Sequence, residues 1–475
     1  MGESAAASAD GDGTSDSTTT ADGRRVINVA DGGDIILDVT FDTSKETLRK
    51  HRNAVAAAAR KTKPQDAGPA STASARTQVA YRVSVEALKR HSKYFANLLS
   101  NSQFREAGLI AKTLAKLAAM KIVAGEAVPE DLPWIAISDD DEATKAAGRD
   151  ASFEDMLRII HRKTPKVARP TMAYATTIAV IADRFDCVPV VARSLNTELK
   201  FKWPVTTSKP FIDESGRPTE AEQVLRQKIL VSWLLGQPMR LHQASRELIM
   251  RGSRVWGAYH AQDSGMTAAW WNLPDGLEEE LQYRRECILN TIASVQRHFL
   301  SWYSSRQRQC KLGYDSSAAC DSFQLGQMLK FFVSKDLLFL VDYSQASVDS
   351  LPDASLLDID VLLSTLRQCP NYQIDKYHTN CGLRIRIEPI LDYIRAMLSA
   401  NTVSIALADW KSGREDVAWP RPAMEDAMTE ERKKTFAFTR AVANDQRLRF
   451  EGGLYTDKMA KQVFTAEVWD WTPEY

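Results

Sequence analysis

Residues 79–95 read VAYRVSVEALKRHSKYF. Val79 to Val83 reads as a strand. Ser84 then interrupts it, and its hydroxyl is suited to accept a backbone N–H at a helix start. From Val85 onward Leu88, His91, Tyr94, Phe95, Leu98 and Leu99 recur at helical spacing. The stretch therefore predicts a strand feeding directly into a helix, which makes this region mixed α and β.

Working outward toward the N-terminus, Arg25 to Ala30 alternates around Val26, Ile27 and Val29. Asp31-Gly32-Gly33 supplies a turn, and Asp34 to Phe41 (DIILDVTF) resumes β-branched residues, so a β-hairpin is expected. Residues 1–24 are Ser, Thr, Ala, Gly and Asp almost throughout and are expected to be disordered, as is an insertion at about 54–78. The Ala-rich start of that insertion is compatible with helix, and the Pro64 and Pro69 region reads as loop.

Toward the C-terminus, residues 108–124 predict an amphipathic helix with Leu109, Ile110, Leu114, Leu117 and Met120 on one face. Trp134 to Ile137 reads as a short strand. The acidic run from Ser138 to Asp150 reads as a solvated loop, since it lacks the glycine and terminal glutamate of a calcium loop. Helices are expected at 152–161, 171–185 and 190–201. After Pro204 the pattern turns mostly helical, with candidates at 220–235, 241–250, 277–308, 322–333, 355–368, 383–399 and 429–445. One β-like run, Val403 to Ala408, stands apart. The helix at 277–308 carries the stripe Leu281, Ile288, Ile292, Val295, Phe299 and Trp302.

The chain of 475 residues exceeds what one hydrophobic core usually serves, so at least two folded units are expected. Lysine plus arginine equal aspartate plus glutamate at 61 each, which argues against a general nucleic-acid or membrane-surface binder. No apolar run reaches the roughly 18 residues that span a bilayer. The six cysteines form no CxxC pair and follow no secretory signal, so reduced thiols in cytoplasm or nucleus are expected.

Four pieces, in order, give the region a family resemblance. Asp38-Val39-Thr40-Phe41 matches an opening strand of the type DVTLVV. Tyr81 to Phe95 matches a strand and helix of the type FxVHxxVLxxxSxYF. Phe104-Arg105-Glu106 matches an aromatic-x-Glu element, and Ile178 to Phe185 (IAVIADRF) matches LLxLADxY. With the order strand, strand, helix, helix, strand, helices, residues 26–200 resemble the BTB/POZ fold, and the remainder is similar to the helical regions of large filamentous-fungal BTB proteins. Ser84 stands where that family usually has histidine, and the 54–78 insertion is a second departure. The expected architecture is an α+β BTB/POZ-like domain over 25–203, a small sheet with clustered helices, followed by a mostly helical region over 204–475.

The resemblance implies a protein-interaction adaptor with protein partners and no chemistry of its own. It implies a possible homodimer, with Asp38, Leu88, Arg90 and Tyr94 at the interface and Lys89 or Arg90 as the charge partner of Asp38; a strand-end aspartate is the alternative. It also implies a possible cullin scaffold as partner, bound through Phe104 and Glu106 in a ubiquitin-ligase role; the alternative packs Phe104 internally. A self-associating or transcription-linked scaffold and an enzyme of unfamiliar type in 205–475 are the other functional readings.

The residues themselves offer little chemistry. There is no GxSxG, GxxxxGK[ST], HExxH or post-strand GxGxxG motif. Cys369, His378 and Cys381 lie close in sequence, with Cys310 or Cys320 available as a fourth soft ligand. Only His378 and Cys381 make a close pair, so the thiols are expected to pack as small apolar groups, with no metal and no cofactor. Trp270-Trp271 is a candidate exposed anchor, with a buried plug between helices as the alternative. Asp183 and Arg184 are expected in weak surface or intradomain ion pairs.

Overall fold

The structure is a computed structural model and describes residues 17–20, 24–59, 74–197, 201–256, 266–313, 315–337, 356–421, 434–443, 445 and 453–472. The chain divides into two compact units, Met1–Pro204 with Thr267–Ala269, and Val205–Met266 with Trp270–Tyr475. The first is mixed α and β around a small sheet, and the second is mostly helical.

The sheet of the first unit is organised by the strand quoted above. Its strands are β1 (Ser17–Thr19), β2 (Arg25–Asn28), β3 (Ile35–Asp42), β4 (Arg76–Val83) and β5 (Trp134–Asp140), in the order β1-β2-β4-β3-β5. β3 pairs antiparallel with β4 from Ile35 opposite Val83 to Asp42 opposite Arg76. β2 lies parallel to β4 on its other edge, and β5 lies parallel to β3. The expected hairpin of β2 on β3 is thus not formed, because β4 lies between them. The turn at Asp31-Gly32-Gly33 carries the chain over the end of β4 instead. Val29 and Ala30 both donate their N–H groups to the Arg82 carbonyl, at 3.0 and 3.1 Å, and Asp34 donates to that of Val83 at 3.1 Å. Gly32 has φ +73°, and a Cβ on Gly33 would sit 2.9 Å from the Val83 nitrogen, so both turn glycines are needed. With β4 central, both of its backbone edges find partners; a direct hairpin would leave one of them bare.

The tail and the insertion are more ordered than their composition suggests. Ser17–Thr19 forms β1, paired antiparallel with β2, and α1 (Lys45–Ala59) runs well into the Ala-rich segment. Residues 1–16 and 60–73 lie outside the described residues. Asp141 anchors the start of α1 by accepting from the Ser44 hydroxyl and N–H at 2.8 and 3.2 Å.

After β4 the expected single helix is two. Ser84 caps α2 (Val85–His91), as its position suggested. Ser92 then ends α2 and starts α3 (Lys93–Ser100), accepting the Phe95 N–H at 3.0 Å and donating to the Phe185 carbonyl at 2.6 Å. α4 (Arg105–Ala119) follows, and after β5 come α5 (Arg149–Ile160), α6 (Met172–Arg184) and α7 (Val188–Thr197).

The acidic run is not the solvated loop expected of it. β5 continues through Asp140, and Asp139 is 2% exposed. Arg149, at the start of α5, is 1% exposed and donates to Asp139 Oδ2 at 2.7 Å. Its other N–H groups reach the carbonyls of Asp42, Asp139 and Ala146 at 2.8 to 3.0 Å. Arg184 completes the group with a contact to Asp139 Oδ1 at 2.5 Å. The pairing of Arg184 is therefore intradomain, with a buried carboxylate, rather than a loose surface contact.

The second unit is built around α10 (Leu277–Ser304), preceded by α8 (Glu220–Leu234) and α9 (Pro238–Arg251). It is followed by α11 (Ser317–Ser334), α12 (Ile359–Arg367), α13 (Leu383–Leu398), α14 (Leu407–Ser412), α15 (Arg414–Val417), β6 (Thr435–Ala437), α16 (Arg440–Ala443), α17 (Gly453–Phe464) and β7 (Val468–Asp470). α10 packs against α9, α11, α13 and α17, and buries Leu281, Ile288, Ile292, Val295 and Phe299 of its stripe. Two expectations are corrected here. The β-like run Val403 to Ala408 is a turn of 3-10 helix, a short extended link and the start of α14. The helix expected at 429–445 gives way, where described, to β6, which pairs parallel with β7, and to α16. Trp270 is 4% exposed, the buried alternative of the Trp270-Trp271 pair.

Replacing Arg149 with Ala leaves the buried Asp139 with Arg184 as its remaining counter-ion and frees three carbonyls. The substitution is expected to destabilise the first unit by about 3–5 kcal/mol, read as a lowered urea midpoint of the intact chain. A second expectation concerns His161. Its Nδ1–H donates to the Leu157 carbonyl at 2.7 Å and its Nε2 accepts the Ser84 N–H at 3.0 Å, a geometry that only the neutral ring can satisfy. Burial holds its pKa below the ordinary imidazole value. The unfolded chain therefore binds the proton more readily, and this contribution to stability is present above about pH 6.5 and is lost as pH falls toward the folded pKa. Urea midpoints taken from about pH 7 to about pH 5.5 should fall more steeply in the wild type than in His161→Gln.

Candidate protein-interaction surface

An aromatic cluster ties α3 to the end of α6. Phe95 stacks on Phe185 with ring centroids 5.5 Å apart, and Phe185 meets Phe153 edge-on at 5.2 Å. Tyr94 closes the cluster, edge-on to Phe95 at 5.2 Å and to Phe185 at 5.1 Å. Phe95, Phe153 and Phe185 are buried, whereas Tyr94 is 38% exposed and forms the rim. Burial first, and then the charge of Glu106, raise its phenol pKa.

Phe104 sits at the tight turn that starts α4. Its N–H donates to the Asn101 carbonyl at 2.9 Å, while Asn101 Oδ1 accepts from the Gln103 N–H at 3.0 Å. Its side chain is 43% exposed, so it does not pack internally as one reading of the sequence allowed. Glu106 lies half-buried in the first turn of α4, where an acid complements the helix dipole.

α4 buries much less than its periodicity suggested. Only Ile110 and Leu117 are fully buried, with Leu114 packed partly against the core beside them. Leu109 and Met120, expected on the same face, are 41% and 47% exposed. Gly108, Ala111, Ala115 and Ala118 are also exposed, together with Arg105, Lys112 and Lys116, so the outer side of α4 mixes small apolar residues with basic ones. The signal was present in the spacing. Positions 110, 114 and 117 follow i, i+4, i+7, and Leu109 lies about 100° away from that row.

The residues expected at a dimer interface are not brought together in one way. Leu88 is fully buried and offers no surface. Asp38 accepts from Gln78 Nε2 at 2.8 and 2.9 Å and lies 3.8 Å from Arg24, so Gln78 and Arg24, not Lys89 or Arg90, hold it within the unit. Arg90 is exposed.

In the second unit the thiols gather differently from the sequence expectation. The sulfurs of Cys310, Cys320 and Cys381 all lie within 4.8 Å of one another, and all three residues are buried. Cys310 and Cys381 are 3.7 Å apart. Cys369 is not in this group; its thiol faces the Pro370 carbonyl at 3.7 Å. His378 is fully buried, and holds Asp375 Oδ1 at 2.8 Å through Nδ1; Asp375 and, after it, Cys310 raise its pKa. Burial alone would raise the Cys310 thiol, but the adjoining Ser317 hydroxyl, the Leu312 N–H and its two cysteine neighbours bring it below the ordinary thiol range. Burial raises Cys320 and Cys381.

Comparison with protein-family models, with curated proteins and with solved structures returned no match.

The exposure of Phe104 implies that the unit does not depend on it. Phe104→Ser should change the denaturation midpoint by the equivalent of less than about 0.5 kcal/mol. Phe95→Ala, in the buried stack, should cost about 3–5 kcal/mol in the same thermal or urea melt.

Proposed function

We propose that this chain is a protein-interaction adaptor whose first unit is a BTB/POZ-type domain, and that it docks a cullin-type scaffold through Phe104 and Glu106. The observation that carries the reading is the exposed aromatic at the start of α4, with an acid two residues on. A large apolar side chain left 43% in water at a structured turn gains free energy only when a partner covers it. Glu106 supplies a fixed charge beside it that would orient that partner. The exposed Leu109 and Met120 of α4 and the rim position of Tyr94 would add apolar area to such a contact.

The element order also supports the reading. Apart from α1, inserted between β3 and β4, and α4, added before β5, the elements β3, β4, α2, α3, β5 and α5 to α7 follow the order strand, strand, helix, helix, strand, helices. All these elements fall inside the first unit, so the surface stands on a single folded body. The helical unit would then carry the cargo that the adaptor brings to its scaffold.

A pull-down of the full chain on an immobilised cullin N-terminal domain tests the proposal. Wild type should be captured, and the Phe104→Ala, Glu106→Ala double variant should lose at least about tenfold in affinity, as expected for a central aromatic anchor. Equal capture of the two proteins, or capture of neither, would overturn it.

A further inference from the structure

We propose that Cys310, Cys320, Cys381 and His378 form a structural zinc site of three thiolates and one imidazole in the helical unit. The geometry of the sulfurs is the first argument. A tetrahedral site with Zn–S bonds of about 2.3 Å places its sulfurs about 3.8 Å apart. Cys310 and Cys381 already stand at 3.7 Å, and Cys320 lies within 4.8 Å of both. A disulfide fits the same atoms poorly, because its sulfurs must approach to about 2.05 Å and would strand a third buried thiol.

His378 is assigned the fourth position, although its ring nitrogens do not fall within 4.8 Å of all three sulfurs. Its Nδ1 engages Asp375 at 2.8 Å, so Nε2 is the nitrogen left for the Cys310 side of the ring. A carboxylate that fixes the tautomer and orientation of a ligating imidazole is the usual outer shell of a zinc histidine. Asp375 is bound firmly in turn, since it also accepts the N–H groups of Tyr377 and His378 at 2.8 and 3.2 Å.

The positions of the four residues explain what a metal would do. Cys310 lies in the link after α10, Cys320 in the first turn of α11, and His378 and Cys381 in the irregular segment before α13. Residues 369–382 contain no regular helix or strand, and the core beside the thiols is small, with Ile374 packed partly against the three cysteines. One ion would cross-link three segments that little apolar burial holds. All four ligand positions are closed to solvent, which suits a structural rather than a catalytic centre.

Binding balances without redox chemistry. Zinc enters as the hydrated dication, three S–H protons leave to solvent, and neutral His378 donates its Nε2 lone pair. The resulting centre carries one negative charge.

The test is metal analysis of the full chain, purified under reducing conditions from zinc-supplemented cells. About one zinc per chain is expected. Cys320→Ser and Cys381→Ser should lose it, and Cys369→Ser, altered at a buried thiol outside the cluster, should keep it. Cobalt exchange into the wild-type protein removes any dependence on folding of the variants. It should give the intense visible bands and thiolate charge transfer of a tetrahedral site, and His378→Cys should retain cobalt with shifted bands. The proposal is overturned by a wild-type chain that takes up neither metal after reduction and reconstitution. It is equally overturned by a weak octahedral cobalt spectrum, or by a folded Cys320→Ser or Cys381→Ser variant with its zinc intact.

Discussion

A guanidinium sealed from water must find an acceptor for every N–H group it carries, and the first unit is arranged around one that does. Arg149 gathers the ends of β3 and β5 and the start of α5 onto a single planar fork, with Asp139 as its counter-ion. The pair itself need not be a large net source of stability, since desolvation offsets much of the attraction. Its effect is to make one arrangement of strand ends and helix start far better than its neighbours, because any shift leaves buried donors unpaired. The second unit uses the same device. Arg226 forks onto Glu278 at 2.7 and 2.9 Å, and Arg284 joins Glu280 to the carbonyls of Thr402, Ser404 and Val417. These arginines fasten irregular backbone to helices where apolar packing alone would be indifferent to register.

The proposed interaction surface follows from that framework. With β4 central and β5 locked beside β3, α2 and α3 leave the sheet at a position set by Ser92. That serine replaces a straight helix with two short ones by offering one hydroxyl to both the Phe95 N–H and the Phe185 carbonyl. The kink buries Phe95 and puts Tyr94 at the rim. The turn at Asn101 then places Phe104 outward, and α4 docks by a narrow row of Ile110, Leu114 and Leu117 that leaves its other side uncovered. The uncovered side carries exposed Leu109 and Met120 beside Arg105, Lys112 and Lys116.

The helical unit contains a different solution to the same problem of fixing irregular chain. Around residues 369–382 there is neither a buried arginine fork nor a large apolar cluster. Three thiols gather there instead, and the segment also carries an imidazole held by a carboxylate. Soft ligands brought to tetrahedral spacing from three segments would do locally what the guanidinium forks do elsewhere, with one centre satisfying several groups at once.

Much of the local structure was legible from residue type and spacing. The strand Val79–Val83, the Ser84 cap, β3, and the helices α8, α9, α10 and α13 all depend on periodicity and capping, which act between near neighbours in the chain. The exposed aromatic and acid at 104 and 106 were also visible as a pair. Other features were decided only by the tertiary structure. Strand order is one: the turn at Gly32-Gly33 has hairpin chemistry, yet β4, some 40 residues further on in sequence, inserts between its arms because its two edges both need pairing. The burial of Asp139 is another, since an acidic run carries no mark of the distant Arg149 and Arg184 that neutralise it. The thiol cluster is a third. Sequence proximity grouped Cys369 with Cys381 and offered Cys310 or Cys320 only as a fourth, whereas the fold gathers both Cys310 and Cys320 with Cys381, because the helices α10, α11 and α13 set the distances.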